Sequence, residues 1–425
     1  MLQIQFFRQE PDKVRKGLSK RHFPKPELVD QIIGQDEEVR KLRNASETLQ
    51  ASINALSKEI GQLMASGNKT AAEEKKAAVA ELKDSLNKDK TRLQELEESF
   101  DALLVQLPNI PHESVPEGKS AEDNKVEREG GTLPKLPEGA QPHWELIKKF
   151  DLIDFETGAK ITGSGFPLYR GKGAKLQRAL INYFLDHNTA AGYTEYLPPL
   201  MVNEATAYGT GQLPDKEGQM YHVTADSFYL IPTAEVPVTN VYRNEIVKES
   251  DLPVKMTAYT PCFRREAGSF GSDVRGLNRV HQFDKVEIIQ LVHPEKSYKV
   301  LEEMVHHVER LLQSLELPYR ILRLCGGDMG FTSALTFDFE VYSAAQQKWL
   351  EVSSVSNFES FQTNRMKIRF KDAEGKIQLA HSLNGSSLAL PRIVAALLEN
   401  NQEGDSIRLP RALHQYFGAP AITLG

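Results

Sequence analysis

The chain has 425 residues, 40% of them hydrophobic and 26% charged, and a formal net charge of −6. That length holds more than one domain and a sizeable core, which excludes a small binding module. The mildly acidic balance excludes recognition of nucleic acid by bulk charge, so any RNA contact has to come from local patches.

One such patch opens the chain. Within Met1 to Pro26, Arg8, Lys13, Arg15, Lys16, Lys20, Arg21 and Lys25 face only Glu10 and Asp12; a basic contact surface and an ordinary solvated start to a domain both fit this balance. Apolar positions then alternate three and four residues apart, from Leu28 through Ile32, Val39, Leu42, Leu49, Ile53, Leu56 and Ile60 to Leu63. A second run with the same spacing goes from Ala72 through Val79, Leu82, Leu86, Leu93, Leu96 and Leu103 to Leu107, beyond a turn signal at Ser66-Gly67-Asn68-Lys69. The two seams mirror each other about that turn: Leu42 falls opposite Leu93, Ile53 opposite Leu82, Ser46 opposite Asp89, and Ile60 opposite Lys75, whose stem covers the seam. This symmetry predicts one antiparallel coiled-coil hairpin, an arm roughly 55 to 60 Å long at about 1.5 Å per residue.

Residues 109–150 are rich in proline, glycine and charge and read as a linker between a first region, 1–108, and a second, 151–425. The second region begins with a predicted helix from Ala174 to Asn188 and a strand closed by Pro198-Pro199. A glycine loop follows at Gly209 to Pro214. At Thr233-Ala234-Glu235, Thr233 caps a helix with Glu235 as its first-turn acid, or the pair holds a substrate. Strands at Ala258–Arg265 and Gln282–Leu291 flank a basic loop punctuated by Gly268, Ser269, Gly271, Ser272 and Gly276. Arg264 and Arg279 offer donor forks suited to phosphate, and Phe283 a flat face for a purine.

Ser297 to Leu315 has the pattern of an amphipathic helix, on which His306-His307 read as surface residues rather than metal ligands. Thr336–Tyr342 reads as a strand. In Glu351-Val352-Ser353-Ser354 a carboxylate and a hydroxyl are available from Glu351 with Ser353 on alternate positions, or with Ser354 across a bulge, an oxygen set suited to magnesium. Leu383 to Arg392 then runs into an apolar helix, Ile393 to Glu399, with Pro391 tolerated in its first turn. The elements together predict an α+β fold: a helical arm followed by a mainly antiparallel sheet flanked by helices. No Rossmann or Walker pattern is present, so a nucleotide would be held by side chains. Cys262 and Cys325 lie far apart without ligand spacing, which argues against a disulfide framework and against zinc. No apolar run reaches membrane-spanning length and the first residues lack a signal-peptide pattern, so a cytoplasmic protein without a membrane partner is expected.

Phe263-Arg264-Arg265-Glu266-Ala267-Gly268 followed by Arg275-Gly276-Leu277-x-Arg279-x-His281-Gln282-Phe283-x-Lys285-Val286-Glu287 resembles motif 2 of the class II aminoacyl-tRNA synthetases, in the wording of the bacterial seryl-tRNA synthetases. The helix and strand near residues 174–199 are similar to motif 1, which in that family forms the homodimer interface, and Leu383–Arg392 to motif 3. The resemblance implies activation of L-serine with ATP and its transfer to tRNA(Ser), and also to tRNA(Sec) where that tRNA exists. It implies catalytic roles for Arg264, Glu266 and Arg392, and ATP contacts from these with Arg265, Arg279, Val280, Phe283, Glu351, Val352, Ser353 and Ser354. Serine would be held by Thr233, Ala234, Glu235, Arg264, Glu287, Asn384 and Ser386, and Mg2+ by Glu351 and Ser354. The arm would grip the long variable arm of the tRNA. Two rival functions start from the same residues: an adenylate-forming relative serving a carrier, which the intact arm opposes, and a non-enzymatic coiled-coil protein, opposed by the joint presence of Arg264, Glu266, Glu287, Glu351 and Arg392.

Overall fold

The computed structural model describes residues 1–267 and 275–424. Gly268, Ser269, Gly271 and Ser272, expected to punctuate the basic loop, therefore lie outside the described residues. The chain divides into two compact units, Met1–Ser19 with Phe23–Pro108, and Lys20–His22 with Asn109–Gly425.

In the first unit α1 (Leu28–Ala65) and α2 (Lys69–Leu104) form the hairpin. Gly67 takes the left-handed φ of +82° that the tight reversal requires. Asn68 caps α2 by accepting from the Ala71 amide. Ile53, Val79 and Leu86 are buried with Leu49, Leu56, Ile60 and Leu82 around them, which is the predicted register. Gln35 donates to Ser99 across the pair at 2.8 Å, and Lys75 reaches Glu59 rather than lying free over the seam. Ser46 is buried there with no hydrogen-bond partner among the described residues.

The arginines of the basic start are engaged within the structure. Arg8 and Arg40 pair with the buried Asp36; burial opposes ionisation of that carboxyl, yet the two guanidiniums outweigh it and hold it below the usual carboxylate range. Arg15 bridges Asp12 and Asp30. Arg21, in the second unit, donates to the carbonyls of Met329, Gly330 and Ser333.

The second unit is built on eight strands: β1 (Lys125–Gly130), β2 (Thr194–Glu195), β3 (Val254–Phe263), β4 (Gln282–Val292), β5 (Tyr319–Arg323), β6 (Leu335–Ser343), β7 (Lys348–Asn357) and β8 (His381–Ala389). Their order is β1-β5-β6-β7-β8-β4-β3-β2, antiparallel throughout except for the β2–β3 pair. Four helices matter for the site: α3 (His143–Lys149), α4 (Gly171–Ala190), α5 (Ser297–Ser314) and α6 (Leu390–Asn400). Val286, Ile288, Phe337, Phe339, Val355 and Leu383 of the sheet pack with Leu180, Leu311 and Ile393 of the helices in one core. Because strand side chains alternate in direction, Lys285, Glu287, Asp338, Asn384 and Ser386 are turned to the opposite face.

Two expectations need correction. Residues 109–150 are not merely a linker: β1 pairs with β5, the Asn109 amide donates to the carbonyls of Thr332 and Phe358, and Arg128 pairs with Glu302 and Glu309 of α5. Proline and glycine set the bends between these docking points, so composition alone resembled a spacer. His306 is exposed as expected, but His307 is buried and bonds Asn188 at 2.7 Å. It lies on the core side of α5, where Val300, Leu301, Met304, Val308 and Leu311 are also buried.

Candidate active site

The polar face of the sheet opens into a cleft of about 550 Å³ between the ends of β3 and β4, the middle of β7 and β8, and the first turn of α6. Strand alternation explains why so many functional groups meet there. Lys285 and Glu287 project from β4 beside Asn384 and Ser386 of β8, and Glu287 pairs in register with Ser386. Glu287 is buried and ion-paired with Lys285; it also accepts from Thr233 at 2.8 Å and Ser386 at 3.4 Å. Glu235 lies on the same floor and accepts from Gln362 at 2.5 Å. Burial first, and the negative charge of Glu287 next, push its carboxyl up to about 7 despite Gln362, Lys285 and Asn384. Two carboxylates with hydroxyl neighbours suit a small ligand carrying an ammonium and a hydroxyl. Thr233 also accepts from the Glu235 amide at 3.2 Å, just ahead of the helix whose N-cap is Ala234, so its hydroxyl ties the helix start to the floor.

At the other end the donors are arginines. Arg264 lies with its guanidinium 5.3 Å from the centre of the Phe283 ring. Arg279 pairs with Glu266 at 2.9 Å, and Glu266 holds a left-handed φ of +50°, a conformation unusual for a residue with a Cβ. Arg392, in the first turn of α6 directly after Pro391, donates to the carbonyls of Asn278 at 3.0 Å and Glu351 at 2.7 Å. Separated guanidiniums around an aromatic face are a frame for a nucleotide with its phosphate chain.

The strand carrying Glu351 shifts register against β6 between Phe339 and Glu340, and this bulge decides between the two serines. Ser353 spends its hydroxyl on the Ser386 carbonyl at 2.6 Å, whereas Ser354 lies 3.4 Å from the Glu351 carboxylate. Behind them Asp338 is half-buried, and its Oδ1, shielded from solvent, has no partner among the described residues. Burial, then the charge of Glu351, drive its carboxyl well above the ordinary range, with the Ser354 hydroxyl pulling the other way. An orphaned buried oxygen beside a carboxylate and a hydroxyl fits a hard divalent cation. Among the described residues no three His, Cys, Asp or Glu side chains gather into a metal site.

The chain is 51% identical over 424 residues to the serine–tRNA ligase of Salinibacter ruber, spanning 99% of each. The chain belongs to the seryl-tRNA synthetase family. The synthetase is also 46% identical to the serine–tRNA ligase of Trichlorobacter lovleyi across 98% of each chain. Its residues 1–111 match the family model for the seryl-tRNA synthetase N-terminal domain, and residues 221–401 that for the tRNA synthetase class II core domain (G, H, P, S and T). Over the whole of both chains it resembles the solved seryl-tRNA synthetase of Pyrococcus horikoshii complexed with ATP, with a TM-score of 0.93 and 34% identity. The cytoplasmic serine–tRNA ligase of Naegleria fowleri in complex with AMP gives 0.88 and 25%, covering 100% of this chain and 99% of that one.

Of the residues singled out in the synthetase's sequence, Thr233, Glu235, Arg264, Glu266, Arg279, Val280, Phe283, Glu287, Glu351, Val352, Ser353, Ser354, Asn384, Ser386 and Arg392 line this cleft. Arg265 does not: its side chain is exposed, and only its amide is used, donating to the Gln219 carbonyl at 3.0 Å. Ala234 is wholly buried, packed with Val238, Met256 and Ile289 at the start of a short helix. Arg265 lies past the end of β3 and Ala234 at the turn into the short helix, so local backbone outside the sheet sets both placements. Lys285, Asn278 and Gln362 went unassigned; Lys285 was readable as the position two before Glu287, whereas Gln362 and Asp338 carry no local signal.

Proposed function

We infer that this chain activates L-serine with ATP to seryl-adenylate and transfers the serine to the 3′ end of tRNA(Ser). In the first step a serine carboxylate oxygen attacks the α-phosphorus, the bond to the bridging oxygen breaks, and pyrophosphate leaves. The carboxylate is ionised near neutral pH, so no general base is needed. In the second step a hydroxyl of the terminal ribose attacks the acyl carbon and AMP departs. Both steps depend on positioning and on neutralising charge.

The observation that carries this reading is that one cleft joins a buried acidic floor to a row of arginines flanking Phe283. Arg264, between the two ends, meets both the α-phosphate and the serine carboxylate. Glu266 accepts from the adenine amino group, Phe283 stacks on the base, and Arg279 and Arg392 take the β- and γ-phosphates. Glu235 and Glu287, with Thr233 and Ser386, receive the ammonium and hydroxyl of serine; alanine would leave a buried acceptor unpaired and is rejected on that account. Glu351 and Ser354 would hold Mg2+, which when bound supplies positive charge to the phosphate oxygens.

The hairpin of α1 and α2 binds tRNA(Ser), in this reading, and two copies of the chain associate through the region of α4 and β2. Charging of tRNA(Sec) belongs to the same proposal, as does a cytoplasmic location; no helix among the described residues is long and apolar enough to cross a membrane. The test is ATP–pyrophosphate exchange with each standard amino acid, followed by charging of transcripts of tRNA(Ser) and tRNA(Sec). Exchange supported by serine alone is expected; exchange supported by another amino acid, or by none, overturns the reading.

A further inference from the structure

Away from the cleft, α3 and the last turn of α6 enclose a polar cluster that no step above uses. His143 and Glu399 are both fully buried, with His143 Nδ1 2.7 Å from Glu399 Oε1. That carboxylate also accepts from the His143 amide at 2.9 Å, from Gln346 at 3.0 Å and from the Ser343 hydroxyl. Hydrogen bonds from His143 and Ser343 offset its burial and hold it below the usual carboxylate range. On the far side of the ring, Nε2 accepts from the Leu277 amide at 2.9 Å. With the Glu399 carboxylate closest to Nδ1 and the Leu277 amide donating to Nε2, the ring proton belongs on Nδ1; Gln346 Nε2 also lies 3.3 Å from that nitrogen.

The residues held in this way are the return of the hairpin loop into the cleft. Gly276 passes so close to the ring that a Cβ there would fall 2.4 Å from Nε2, and its φ is +64°. Arg275 lies over Trp144 of α3 at 4.5 Å. Leu277 is buried in the core, and Asn278 donates to Gln346 at 3.0 Å. The Asn278 carbonyl, in turn, accepts from Arg392. Helix α6 thus grips successive loop residues at both of its ends: its first turn through Arg392 on Asn278, its last turn through Glu399 and His143 on Leu277. Arg279, which follows directly, and Arg392 are therefore set relative to each other by one rigid helix and one imidazole.

We propose that His143 and Glu399 are a positioning pair that sets the phosphate-side arginines Arg279 and Arg392, and so selectively controls the handling of ATP. The proposal rests on reading the cleft as the ATP site. Neither residue touches substrate. Their effect is the placement of the backbone at Leu277 and Asn278.

Two substitutions separate the halves of the relay. His143→Asn keeps a donor toward Glu399 and removes the acceptor for Leu277; His143→Gln keeps an acceptor near Leu277 and weakens the bond to Glu399. Steady-state pyrophosphate exchange on the full chain, with melting temperatures of both variants, is the measurement. His143→Asn is expected to raise the KM for ATP about tenfold, the scale of one unsatisfied buried amide, while the KM for serine stays within about twofold. His143→Gln should recover much of the ATP affinity even if both variants melt at similar temperatures. Equal changes in the two KM values, equal ATP defects in the two variants, or no defect in either would overturn the proposal. Wild-type chain without serine-dependent exchange would overturn the reading of the cleft itself, and the proposal with it.

Discussion

The arm and the catalytic unit are stabilised in opposite ways. The hairpin of α1 and α2 is held by a narrow seam around Ile53, Val79 and Leu86 and by cross-helix pairs such as Arg43 with Glu97, about half exposed on both sides. Such pairs contribute about 0–1 kcal/mol each, so the arm is held by its seam and its period. In the cleft the partners come from distant segments, 99 residues apart for Ser386 and Glu287 and 114 for Arg392 and Asn278, and the Lys285–Glu287 ion pair is buried. A region built locally can be removed as a piece; a region built from distant strands fails through single atoms.

The largest effect that would sharpen this contrast is expected at Arg264. Arg264→Ala should lower serine-dependent pyrophosphate exchange about a thousandfold or more, since it meets charge that develops in the transition state, while circular dichroism remains that of the wild type. Exchange retained in the folded variant would break the assignment. Replacing Leu28 to Leu107 by a short flexible link comes next: exchange should stay within about threefold, and charging of tRNA(Ser) should fall about a hundredfold or more, with a flatter salt dependence of tRNA binding. Undiminished charging would make the arm a spacer.

Glu287→Gln should raise the KM for serine tens of fold and that for ATP only a few fold, because the carboxylate lies on the acidic floor; parallel rises would reduce its role to support of Lys285. The smallest expected effect is on pH dependence. Glu235 has its carboxyl raised from 4.5 to about 7. Between those values the folded chain keeps a proton that the unfolded chain has released, so stability falls as pH rises through this window, and the loss is complete above it. Glu235→Gln removes that slope. In melts without serine the variant should gain on the wild type by a few degrees from pH 5 to 8, and a constant difference would contradict the raised carboxyl.

The sequence by itself determined the arm, its turn and its register, because a heptad seam is periodic and its mirror symmetry leaves one pairing. It also displayed most of the cleft, since Arg264, Glu266, Arg279, Phe283 and Glu287 lie within two adjacent strands and their connection. The tertiary structure alone decided which neighbours are available to a ligand: Ser354 stands beside Glu351 across a bulge while the Ser353 hydroxyl is spent on the Ser386 carbonyl, Arg265 past the strand end is exposed, and Ala234 at a helix start is buried. It also decided what supports the site from outside the motifs. Gln362 and His143 stand far in the chain from the residues they serve, and β1 joins the sheet from a stretch whose composition resembles a spacer. Period and motif are properties of neighbours along the chain, whereas burial, pairing and the placement of a lone imidazole are properties of neighbours in space.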